Sequence, residues 1–287
     1  MSARPHPARR LHAWLELLRL PNLFTVPGDV LAGWALAGQG GNPTLALLAS
    51  LGLYAAGLLW NDLFDLRIDA RERPRRPLPS GRIPCRHALF AALALSALAP
   101  LLVLNAWPVA VALLALILFY DALAKRIAGL GVVTMGACRG VNLLLGVAVA
   151  CPGGPSVWPP LAWLAAGLMT LYIVGVSIVA RNEANPRAKV SRAWRAFPIA
   201  MTLLFVPIGW LRGAPMLWAA PAACLPLLPL LLIRRPIPAL VGGLIRHLIL
   251  LQALWCLLAT GALWPLPALL LLCALAAALA GRTFAGS

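Results

Sequence analysis

Continuous apolar runs constrain this chain more than any other feature. Stretches such as "LALLASLGLYAAGLLW" and "LAWLAAGLMTLYIVGVSIVA" are apolar on every face rather than alternating. A surface helix of a soluble domain keeps one apolar stripe and a barrel strand alternates. A segment of about 20 residues that is apolar all round fits the hydrocarbon of a bilayer. In lipid each backbone group must find its partner within the chain, so unbroken runs point to helices. Candidate spans lie at 22–38, 44–60, 88–105, 107–120, 131–150, 160–180, 196–211, 215–233, 240–261 and 264–280. Several are short or touch, which gives about nine spans. Hydrophobic residues make up 62% of the chain and charged residues 11%, where a soluble domain is nearer half and a quarter. The predicted fold class is therefore an all-α integral membrane protein, a bundle of about nine transmembrane helices. The longest polar segment, 61–87, leaves no room for a separate soluble domain, so one domain covers 1–287.

The net charge of +16 invites a nucleic-acid reading, and the placement of the charge argues against it. Basic residues gather before the first span and after the second, fourth, sixth and eighth, while the alternate loops carry little beyond Arg212. That alternation is the positive-inside pattern. It predicts a multi-pass protein of the cell inner membrane, with the N-terminus and the charged loops 61–87 and 181–195 in the cytoplasm. Basic juxtamembrane loops also attract anionic headgroups, so membrane lipids are expected partners and nucleic acid is not. The start, "MSARPHPARR", reads as a basic tail rather than a cleavable leader. The cysteines and histidines show no zinc spacing.

Against this background "NDLFDLRIDARERPRRPLPSGR" is anomalous. The chain has eight carboxylate residues, and Asp62, Asp65, Asp69 and Glu72 all fall here. On a helix continuing from the second span, these four and Asn61 share an arc of roughly 100°. Like charges so stacked repel unless a cation lies between them. Carboxylates are hard ligands, and one or two of them with substrate phosphates and water is the usual way Mg²⁺ is held. The alternatives are a solvated loop of mixed charge and a proton relay. An EF-hand is excluded, because its loop pattern is absent.

The same residues carry a resemblance. Asn61, Asp62, Asp65 and Asp69, followed by Arg76, Pro77, Leu78, Pro79, Ser80 and Gly81, resemble the first aspartate-rich motif of the UbiA superfamily of intramembrane prenyltransferases. "LLRLPNLFTVPGDVLAGWAL", with Arg19 and Asn22, looks like that family's first span. "YDALAKR" resembles the segment carrying a diphosphate-binding base. The resemblance implies a bundle around a central cavity and Mg²⁺-dependent transfer of an isoprenyl group from an allylic prenyl diphosphate to an acceptor, which the sequence leaves unidentified. It implies Asp62, Asp65 and Asp69 as catalytic and metal-binding residues. Asn61, Lys125, Arg126, Arg181 and Arg139 would bind diphosphate. Trp60, Phe64, Tyr120 and Tyr172 are aromatic candidates to face a carbocation, with ordinary packing as the alternative.

The chain departs from the family at its second aspartate-rich motif. The corresponding "YIVGVSIVARNEANPRAKV" offers Glu183 alone, flanked by Asn182 and Asn185, so Glu183 is the remaining candidate metal ligand there. With "ACRGVNLLLG" this resembles a divergent bacterial branch labelled EboC-like. Arg139 and Asn142 lie within the fifth span, where polar groups are costly unless they pair or face a cavity. Asp29, in the first span, is placed to pair with Arg139. Asn22, Asp29 and Asn142 are candidates to orient the acceptor. A non-catalytic prenyl or lipid carrier on the same scaffold is the alternative function.

Overall fold

The computed structural model describes residues 7–127, 129–181, 190–212, 216–229, 236–262 and 265–283. Every regular element among them is helical. In chain order these are α1 (Pro7–Leu17), α2 (Leu20–Leu23), α3 (Pro27–Leu36), α4 (Thr44–Phe64), α5 (Leu66–Glu72), α6 (Cys85–Leu102), α7 (Trp107–Ala122), α8 (Leu130–Ala150), α9 (Pro160–Ala180), α10 (Arg192–Leu203), α11 (Phe205–Leu211), α12 (Met216–Cys224), α13 (Ile237–Thr260) and α14 (Leu266–Thr283). Six helical stretches are long and apolar enough to cross a membrane: α4, α6, α8, α9, the run Ala193–Leu211 through α10 and α11, and α13. Trp107–Ala122, Trp218–Leu227 and Leu266–Ala280 are shorter apolar helices.

The expected first span is not one helix. It divides into α2 and α3 around Thr25 and Val26, with Pro21 and Pro27 near the starts of the two pieces. Proline suits a helix start, where its missing N–H costs nothing. Proline also sets other boundaries: α6 follows Pro84, α9 follows Pro159 and α13 follows Pro236. Gly261, at φ 67°, ends α13 in the left-handed conformation that glycine adopts without strain.

The core is built on α8. A Cβ on Gly146 of α8 would collide with the Val30 carbonyl of α3, and one on Gly33 of α3 with the Leu143 carbonyl of α8. The two backbones therefore touch, as small residues permit in membrane bundles. Gly136 and Gly140, one turn apart on α8, press in the same way on Thr170 and Ala166 of α9. A second, smaller cluster lies at the acidic end, where Ala13 and Leu17 of α1 pack with Leu59, Leu78 and Ile83.

Candidate functional site

The acidic segment does not run as one helix. α4 stops at Phe64, α5 begins at Leu66, and Asp65 stands between them at φ −92° and ψ 2°. The hydrogen bonds Asp65 N to Asn61 O (3.0 Å) and Asp69 N to Asp65 O (2.8 Å) carry the turn across the break. The carboxylates consequently part. Asp62 and Asp69 are buried, at 7% and 5% exposure, and share one cation. Arg76 Nη1 lies 2.7 Å from Asp69 Oδ2 and 3.8 Å from Asp62 Oδ1. Arg19 Nη2 lies 3.7 Å from Asp62 Oδ1. Asp65 turns aside to Lys125 Nζ at 2.8 Å. Asn61 donates to Asp121 Oδ1 at 2.8 Å. On an unbroken helix Asp121 and Lys125, four residues apart, would face each other. A short 3₁₀ turn, Ala124–Arg126, replaces helix there and swings Lys125 to Asp65 instead.

Arg19 holds its position at a backbone cost. It has φ 47° and ψ 56°, left-handed values uncommon for a side chain other than glycine, asparagine or aspartate. The kink separates α1 from α2 and sends the guanidinium to Asp62.

Arg19, Arg76 and Lys125 border a cavity of ≈ 1410 Å³ lined by α1, α2, α4, α5, α7, α8, α9 and α13, and the carboxylates Asp62, Asp65 and Asp69 that they pair with are not themselves on its wall. Arg19, Arg73, Arg75, Arg76, Lys125 and Arg181 are on its wall. A smaller pocket of ≈ 200 Å³ lies among α4, α7 and α8, and Arg19, Tyr54, Leu58, Tyr120, Met135 and Arg139 line both. Of the four aromatic candidates only Tyr120 is on a cavity wall. Trp60 bonds Ser96 and tilts against Phe64, and Tyr172 is wholly buried with its hydroxyl on the Leu244 carbonyl. Tyr54, unremarked in the sequence, lines both cavities, with the Arg139 guanidinium 5.8 Å from its ring centroid.

Deeper in the bundle is a polar network around Asp29, whose exposure is 0%. Asp29 Oδ2 accepts from Arg139 Nη1 and Asn142 Nδ2, both at 2.9 Å, and Oδ1 accepts from Gln252 Nε2 at 2.6 Å. Arg139 also donates to the Thr25 carbonyl and hydroxyl, and Ser50 donates to Asn142. The expected Asp29–Arg139 pair is present. Gln252 was missed, although a lone amide inside "LILLQALW" is the kind of signal that marks such a contact. Gln252 Nε2 also reaches the Thr25 carbonyl, and its unpartnered Oε1 faces Gly28, where a Cβ would strike it.

Asn22 lines the large cavity and Asn142 the smaller pocket; Asp29, bonded to both Arg139 and Asn142, is on neither wall. Arg126 is exposed and is not on the wall of either cavity. Glu183, with Asn182 and Asn185, lies outside the described residues. Among the described residues no three His, Cys, Asp or Glu side chains close on one point. The chemistry of the remaining donors nevertheless suits Mg²⁺: two buried carboxylates already face one cationic nitrogen, and this metal is commonly held by one or two carboxylates completed by phosphate and water.

The sequence model of the UbiA prenyltransferase family matches residues 28–236. The chain belongs to this family. Within it, the chain is 40% identical to the digeranylgeranylglyceryl phosphate synthase of Ignicoccus hospitalis over 125 residues, 42% of this chain and 41% of that one. It is 37% identical to the enzyme of the same name from Methanosarcina barkeri over 109 residues, 37% and 38% of the two chains. The chain thus spans about two fifths of the length of these curated relatives. The UbiA fold extends further. A UbiA homologue from Aeropyrum pernix K1 superposes with a TM-score of 0.60 at 20% identity, over 84% of this chain and 96% of that one. A homologue from Archaeoglobus fulgidus, solved with GPP and Mg²⁺, gives 0.57 at 14% identity, over 84% and 99%.

Proposed function

We propose that this UbiA-family chain is an intramembrane prenyltransferase that takes an allylic prenyl diphosphate as donor and Mg²⁺ as cofactor. The observation carrying this reading is the pair of buried carboxylates, Asp62 and Asp69, converging on Arg76, which itself lines a cavity whose wall also carries Arg19, Lys125 and Arg181. The acidic pair would hold the metal, with Asp65 beside it. Lys125, Arg19, Arg76 and Arg181 would bind the diphosphate oxygens, since guanidinium and ammonium groups pair readily with phosphate. Mg²⁺, when bound, would draw electron density from the leaving diphosphate. The carbon–oxygen bond breaks with both electrons passing to diphosphate. An electron pair of the acceptor then forms the new bond to the allylic carbon, and the acceptor loses a proton. Tyr54 and Tyr120, with the apolar wall between them, would keep water from the allylic cation and offer it aromatic faces.

The positive-inside pattern supports a site at the cytoplasmic surface of the cell inner membrane. Glu183 remains a proposed further ligand. A glycerol-type lipid phosphate is the first acceptor to assay, given the names of the relatives, ahead of an aromatic or sugar-like ring. The test is to supply membranes with Mg²⁺, that acceptor and labelled geranylgeranyl diphosphate. Label is expected in a lipid product, and Asp62→Asn is expected to slow its formation about a hundredfold. Transfer by Asp62→Asn at the parent rate sinks the assignment.

A further inference from the structure

We infer that Arg76 is the resident counter-ion of the Asp62–Asp69 pair, holding it closed to a divalent cation alone and yielding it when a diphosphate arrives. The inference rests on the prenyl-diphosphate reading above and adds an order to it: metal and diphosphate enter together.

Its basis is the shared nitrogen. Arg76 Nη1 faces both carboxylates, at 2.7 Å and 3.8 Å, and so stands where a cation bridging them would stand. Both carboxylates are buried, so neither can be left without a partner at small cost. Mg²⁺ sheds its water reluctantly and is rarely held by protein carboxylates unaided. Arriving alone, it must evict a guanidinium that has no better partner. A diphosphate changes the exchange, because it would complete the coordination of the metal and also offer the planar guanidinium a bidentate acceptor. Arg76 already lines the cavity that would receive it. The move needs no loop opening. The Arg76 carbonyl is fixed by Ser80 N at 3.0 Å and Ser80 Oγ at 2.7 Å, so the backbone stays while the side chain swings. Lys125 can move likewise from Asp65.

The experiment measures binding of Mn²⁺, as a paramagnetic substitute for Mg²⁺, to the purified full chain in nanodiscs, with and without inorganic pyrophosphate. The parent is expected to bind Mn²⁺ weakly alone and far more tightly with pyrophosphate. Arg76→Gln, shown by thermal unfolding to be folded, is expected to bind Mn²⁺ alone on the order of tenfold more tightly than the parent and to lose most of the pyrophosphate enhancement. Arg76→Lys, which keeps a cation, is expected to bind Mn²⁺ alone as weakly as the parent. An Arg76→Gln protein with parental affinity for Mn²⁺ alone overturns the inference. Should that variant not fold, Asp69→Asn gives the reciprocal test: it removes the nearer of the two charges on Arg76, leaving Asp62 at 3.8 Å, and is expected to bind pyrophosphate without metal several-fold more tightly than the parent, on the same Coulomb argument. No such gain overturns the inference as well. The two readings fail differently. If Mn²⁺ and pyrophosphate strengthen each other in the parent but the variants change nothing, the role of Arg76 falls and the prenyltransferase reading stands. If the parent binds neither, the prenyltransferase reading itself falls, and the inference with it.

Discussion

At the scale of single residues, Asp29 is the most demanding position in the chain. It is wholly buried, and three side-chain donors, from Arg139, Asn142 and Gln252, meet its oxygens. A buried ion pair adds little net stability, but removing one member leaves the other charge stranded, at a cost of about 3–5 kcal/mol. Asp29→Asn is therefore expected to destabilise the protein by about that amount, read as a fall in thermal midpoint in detergent. Pairing it with Arg139→Gln is expected to recover part of the loss, because the double variant strands no charge. A double variant as unstable as the sum of the singles argues that the pair is not coupled. Asp29 and Arg139 were legible in the sequence because an ionisable group within an apolar run needs a partner. Their number was not: the partners come from α8 and α13, 110 to 223 residues away, and no local pattern reports such a meeting.

At the scale of elements, α1 does more than lead into the bundle. Ala13 and Leu17, one turn apart, seat it on Leu78 and Ile83 in the segment after α5. Glu16 accepts two bonds from Arg82, at 2.6 and 2.9 Å, and Arg82 also donates to the Arg75 carbonyl at 2.6 Å. The Glu16 bonds raise the Arg82 guanidinium above its ordinary value, so Arg82 keeps its charge at any working pH. This helix thus braces the loop from which Arg75 and Arg76 reach the cavity. Arg82 is 38% exposed and Glu16 23%, so the pair contributes under about 1 kcal/mol to stability. Its effect belongs to substrate binding. Glu16→Gln is expected to raise KM for prenyl diphosphate about threefold, with kcat and thermal midpoint little changed. A fall in kcat with KM unchanged contradicts the bracing role. The sequence showed Glu16 only as an isolated acid, because its partner lies 66 residues away. The break at Asp65 was equally hidden. Neither proline nor glycine marks it, and a helical wheel drawn through it puts Asp65 with Asp62 and Asp69 when the structure turns Asp65 to Lys125.

At the scale of the whole molecule, the two kinds of sequence signal differ in reach. Hydropathy reports long helices well, and α4, α6, α8, α9 and α13 fall close to their expected ranges. It reports broken ones poorly, because α2 and α3 are as apolar as one span would be. Charge reports sidedness. Arg19, Arg73, Arg75, Lys125 and Arg181 come from segments that the alternation of charge assigns, as an expectation, to one side, and all of them line one cavity. The proposed anion site and the positive-inside bias thereby use the same residues, so the expected orientation and the proposed chemistry stand or fall together. Two native cysteines test the orientation. Cys85 begins α6, beside the arginine loop, and is exposed; Cys151 caps the far end of α8 and is partly exposed. In bacterial spheroplasts, chains keeping only one of these cysteines are expected to differ toward a membrane-impermeant maleimide. Cys151 is expected to react in intact spheroplasts, and Cys85 only after permeabilisation. The reverse order places the arginine wall outside, where a cytoplasmic prenyl diphosphate has no access to it, and removes the topological support for the proposed reaction while leaving the fold untouched.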